Sequence, residues 1–215
     1  MRERLAALSP AIEILLVNGV CFAIPIATSI YAIATHKRVF EFSNGEAFSM
    51  VVIELLSLSV AGSILAARGW RIADMHILPT LPMTLGGIAI TMAYLFGLGI
   101  LGALFQSAGI PLEVVKFEVT ASIAAIIIVS LVNAVFEESI LTGYNLRAMA
   151  TEGAAFAISV STFIRFLYHM YQGPFAASAM LLLGVLAGAV YWRWRRLWPI
   201  VFAHATLDVV GLTQA

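Results

Sequence analysis

Residues 132–147, VNAVFEESILTGYNLR, place two adjacent carboxylates, Glu137 and Glu138, near the end of a long run of Ile, Val, Ala and Ser. Around them, polar residues recur at helical spacing. Asn133 and Glu137 are four residues apart, as are Glu138 and Thr142. Ser161, Arg165 and His169 recur every four residues, and His204 and Asp208 form a third set. Side chains four apart on a helix share a face, so each set makes one polar stripe. Ionisable groups in apolar helices are costly, and they face a bundle interior or a wet cavity. Two glutamates, an arginine, two histidines and an aspartate on three helices exceed what packing needs. They point to one internal site.

These groups suit hydrolysis. A glutamate beside an imidazole can take a proton from water and deliver it to a leaving amine. A second imidazole, with a hydrogen-bonding partner four residues on, can hold a developing oxyanion. Together they would make a peptide hydrolase that needs no Ser or Cys nucleophile. Two histidines and a carboxylate are also a zinc ligand set. The chain has no HExxH, so zinc would have to be held by Glu137, His169 and His204 from three separate helices.

The elements that carry these stripes follow from composition. Of 215 residues, 61% are hydrophobic and 11% charged, against about 25% charged in a soluble domain. Twelve basic and twelve acidic side chains cancel, which leaves no basic footprint for nucleic acid. One cysteine, Cys21, excludes an internal disulfide or a CxxC site and reads as a small apolar residue. A bilayer core needs about 20 apolar residues per helix. Segments 11–35, 47–67, 80–105, 119–147, 154–171, 175–192 and 197–214 meet or approach that, the last three being short. The expected fold is therefore all-α: one polytopic membrane bundle of about seven transmembrane helices, spanning 1–215 as a single domain. The intervening stretches, among them HKRVFEFSNGE and SAGIPLEVVKFE, read as turn and charge signals.

The first segment follows Arg2 and Arg4, and Ala32-Ile33-Ala34 imitates a signal-peptidase site. Its length, with Glu13 and Asn18 inside it, fits a retained helix better than a signal core. Placing the N-terminus inside collects Arg2, Arg4, Arg68, Arg71, Arg147, Arg193, Arg195 and Arg196 on the inner face. Only Lys37, Arg38 and Lys116 fall outside, so the positive-inside rule expects a cell-membrane protein with a cytoplasmic N-terminus and an outer C-terminus.

The motif order resembles the CAAX protease and bacteriocin-processing (CPBP/ABI) family of type II CAAX prenyl endopeptidase-like intramembrane proteases. Glu137-Glu138 stands for its diglutamate, His169 for its second motif, and His204-Ala-Thr-Leu-Asp208 for its third, within residues 119–211. The resemblance implies an intramembrane endopeptidase acting on a peptide or protein with a membrane-proximal tail. It makes Glu137 the base that activates water and His169 an aid to proton transfer. It puts His204 and position 208 at the oxyanion site, with Glu138 as an orienting acid.

Two positions depart from that pattern. Thr142 stands where the family has arginine, and Arg165 where it has phenylalanine. The guanidinium has moved from the fourth helix to the fifth, where it should pair with Glu137 or Glu138. Asp208, if ionised, only accepts hydrogen bonds, so it suits orienting His204.

Other polar residues read as secondary. Glu54, Glu13 and Asn18 suit packing, His36 and His76 suit solvated loops, and Tyr168 and Tyr171 flank the second motif. His169 lies only four residues before Gly173, which calls for a tilted fifth helix or a re-entrant turn at YQGP. Two other functions compete with the peptidase. One is an inert bacteriocin-immunity or scaffold protein of the same fold, the other a proton-coupled transporter.

Overall fold

The computed structural model describes residues 9–214, so Arg2 and Arg4, which entered the orientation argument, lie outside the described residues. Among the described residues seven long helices follow one another: α1 (Pro10–Ala34), α2 (Asn44–Ala67), α3 (Leu81–Ser107), α4 (Ile123–Ala148), α5 (Ala154–His169), α6 (Pro174–Trp194) and α7 (Trp198–Thr213). Their bounds fall within a few residues of the apolar segments, except at the start of α4. There Lys116–Val119 forms a strand, β2, and Ser122 caps the helix by accepting from Ala125 N. β2 pairs in parallel with β1 (Val39–Phe42), Val39 opposite Lys116. This β pair arises from the two loops that read as turn and charge signals. Ser43 and Glu46 close a capping box at the start of α2, fixing where the chain leaves β1.

Among the described residues five helices are long and apolar enough to cross a membrane, by length and composition. α5 and α7 have 16 residues each, about 24 Å at 1.5 Å per residue, short of a bilayer core of about 30 Å. Leu15, Phe48 and Phe96 project outward, 72%, 69% and 73% exposed, as lipid-facing side chains would. The chain reads as a multi-pass membrane protein.

Helix approach depends on small residues, as it does where lipid supplies no hydrophobic drive between helices. A Cβ on Gly184 would lie 2.8 Å from Thr162 Oγ1, and one on Gly188 2.9 Å from Ile158 Cγ1. This GxxxG face lets α6 seat directly on α5. Of the five glycines in α3, Gly87 and Gly97 meet neighbours at 2.7 Å and 2.9 Å, whereas Gly99 faces open space.

Candidate active site

α4 changes geometry at the diglutamate. Ile123–Glu137 is α-helical, Glu138–Tyr144 is π-helical, and Asn145–Ala148 resumes the α form. A π segment is rare and often marks a functional site. Its wider turns expose backbone carbonyls to neighbours. Ser161 donates to Leu141 O at 2.5 Å, and Tyr191 to Gly143 O at 3.4 Å. Gly143 permits this contact, since a Cβ there would sit 3.1 Å from Met75 Sδ and 3.4 Å from Leu197 Cδ2. No apolar periodicity signals the π segment in the sequence.

The two glutamates have different surroundings. Glu138 is fully buried. Its Oε1 accepts from Arg165 Nη2 and His204 Nδ1, each at 2.7 Å, and its Oε2 accepts from Thr142 Oγ1 at 2.6 Å. Every oxygen is occupied, which suits an orienting group. Glu137 Oε2 accepts from Arg165 Nη1 at 3.2 Å and Tyr168 OH at 2.5 Å. Among the described residues all of its polar contacts use Oε2, so Oε1 is left to the cavity that Glu137 lines.

Arg165, from α5, is 1% exposed and bridges both carboxylates. A buried guanidinium demands such partners. Thr142 meanwhile fills the position of the family's arginine with a hydroxyl that bonds Glu138.

The imidazoles are oriented by acceptors. Glu138 accepts from His204 Nδ1, which turns the Nε2 edge of His204 toward Glu137 Oε2 (3.9 Å) and Asp208 Oδ1 (3.6 Å). Asp208 Oδ2 in turn accepts from Asn133 Nδ2 at 2.9 Å. His169 Nδ1 lies 3.0 Å from Arg165 O. A carbonyl only accepts, so Nδ1 carries the hydrogen and Nε2 is an open acceptor. His169 ends α5 and lines the cavity with Glu137 and Asp208. A helical turn at Met170–Gln172 and Gly173 at φ +99° follow His169 and lead into α6.

The cavity measures about 710 Å³ and lies in the half of the bundle that carries the β pair, with Phe40, Phe42 and Phe117 in its wall. Two residues matter more here than the spacing argument implied. Tyr168 bonds Glu137 and stacks on Phe22 at 5.2 Å, and Asn133 holds Asp208. The sequence marked Tyr168 by its place beside His169 and Asn133 by its spacing from Glu137, but not the partner of either.

Zinc does not fit this arrangement. Among the described residues no group of three or more His, Cys, Asp or Glu side chains could hold a metal ion. The Arg165 guanidinium, 3.2 Å from Glu137 Oε2, sets a fixed cation against the carboxylate a metal would need.

Residues 119–210 match the family model described as type II CAAX prenyl endopeptidase Rce1-like. Over this segment the chain is similar to that family. The same segment holds Asn133, Glu137, Glu138, Thr142, Arg165, Tyr168, His169, His204 and Asp208. No curated protein and no solved structure matches the chain.

Glu13, Asn18, His36 and His76 fall away from the centre. Glu13 Oε1 accepts from Trp70 Nε1 at 3.0 Å and from Tyr144 OH at 2.9 Å, and its Oε2 pairs with Arg68, near the opposite end of the bundle. Asn18 and Asn145 exchange amide hydrogen bonds at 2.9 Å, pinning α1 to α4. His36 and His76 are exposed.

Proposed function

We propose that the chain is an intramembrane endopeptidase that hydrolyses a peptide bond with water activated by Glu137. The supporting observation is the asymmetry of the glutamate pair: Glu138 is saturated by protein, while Glu137 keeps one oxygen toward a large cavity. Arg165 and Tyr168 hold Glu137 from behind, so Oε1 is aimed rather than free to swing. Oε1 takes a proton from water, and the water oxygen bonds to the scissile carbonyl carbon. The carbonyl electron pair moves onto oxygen, where a protonated Nε2 edge of His204 donates to it. Asp208, tied to Asn133, keeps that edge in place. When the tetrahedral species collapses, the C–N bond breaks and the amine takes the proton from Glu137. His169 Nε2, an open acceptor beside the path, relays it.

The substrate is a peptide or protein whose tail reaches the cavity from the membrane, as the family implies. Purified wild type and Glu137→Gln in nanodiscs, incubated with labelled membrane peptides, test this reading. Cleavage by wild type and its loss in the variant are expected. Equal cleavage by both would remove Glu137 as the base, and no cleavage by either would favour the immunity or scaffold function.

A further inference from the structure

Glu54 of α2 is 6% exposed and makes no hydrogen bond or ion pair among the described residues; its Oε2 is buried without a partner. Ser130 of α4, 1% exposed, has a buried Oγ that is likewise unpartnered. Both line the cavity that holds Glu137. α2 and α4 pack together, and Ser130, Asn133 and Glu137 follow one another at i, i+3 and i+7 along one face of α4. Buried polar atoms in native proteins nearly always have partners, so two orphans facing one cavity indicate a missing guest.

The charge of the cavity says what kind of guest. Glu41, Glu46, Glu54, Glu137 and Asp208 line it, with no Lys or Arg among the lining residues. Arg165 is committed to Glu137 and Glu138 behind the wall, and Lys37 sits 4.7 Å over the Phe40 ring near the β pair. A free carboxylate entering here would find no Lys or Arg in the lining to meet it. A cation would be drawn in and would find oxygen acceptors at Glu54 and Ser130.

We infer that Glu54 and Ser130 form a subsite for a cationic side chain, lysine or arginine, carried by the peptide. The inference rests on the peptidase reading for the identity of the carrier, but the subsite is defined by binding alone. Glu54 is thus a specificity residue.

The test uses the full chain in nanodiscs and labelled apolar peptides that differ at one position, scanned along the sequence. That position carries lysine, norleucine or glutamate. Affinity is read by fluorescence anisotropy. At one register lysine should bind about 10-fold tighter than norleucine, and glutamate weakest. Glu54→Gln should bring lysine and norleucine together. The wild-type series needs no variant to fold, so it stands by itself. Equal affinities at every register would overturn the subsite and leave only buried water, as would a lysine preference that survives in Glu54→Gln. Binding preference without cleavage would sink the peptidase reading and keep the subsite. Cleavage without preference would do the reverse.

Discussion

Glu137 and Glu138 are adjacent in sequence, yet what touches each differs. Glu138 meets Arg165, His204 and Thr142, whereas Glu137 keeps Oε1 in the cavity. Glu137→Gln preserves shape and removes the base, so activity should fall by about 10²-fold or more with little change in thermal stability. His169→Ala should lose activity the same way. Near wild-type turnover by either folded variant would refute its role. Arg165 makes a sharper case. Arg165→Phe strands two buried carboxylates and should cost roughly 3–5 kcal/mol. Adding Thr142→Arg returns a guanidinium one helical turn after Glu138 and should recover much of that loss. Unfolding midpoints of both singles and the double decide it, and a double mutant no better than Arg165→Phe would show that position 142 cannot reach the pair.

At the level of elements, the site depends on how closely α5 approaches α4 and α6. α5 delivers Arg165, Tyr168 and His169, and α6 holds it through Gly184 and Gly188. Gly184→Val would drive side-chain carbons into Thr162, whose Oγ1 is 2.8 Å from the position of a Cβ. Overpacking of this kind costs about 1–3 kcal/mol, and here it should also cut cleavage by displacing Arg165. Gly99→Ala, which meets open space, serves as the control. Thermal melts and cleavage rates for both variants check the contact; an unaffected Gly184→Val would show that α5 and α6 are not so tightly coupled.

For the whole molecule, the described basic residues segregate. Arg68, Arg71, Arg147, Arg193, Arg195 and Arg196 gather at one end of the bundle, and Lys37, Arg38 and Lys116 gather at the other, beside the β pair. By the positive-inside rule we propose that the cavity lies in the outer half. Single cysteines at positions 195 and 37, in a Cys21→Ala background, should label from inside and outside respectively with a membrane-impermeant reagent. Outside labelling at 195 would invert the protein and give the substrate the opposite entry side.

The sequence alone determined the apolar segments, because a helix in lipid must show roughly twenty apolar residues whatever it packs against. It also determined the three polar stripes, because a period of four is a local property of the helix. Spacing could not decide between zinc and an ion network, since the residue types are the same. Only the assembled bundle placed Arg165 between the glutamates. The π turn at Glu138 and the parallel β pair were likewise invisible, since both exist through contacts with distant segments. Glu54 shows the difference most plainly. In sequence it is one acid among serines, and in the fold it is a buried carboxyl facing the same cavity as Glu137. Helical periodicity says which residues share a face, but only tertiary packing says what that face meets.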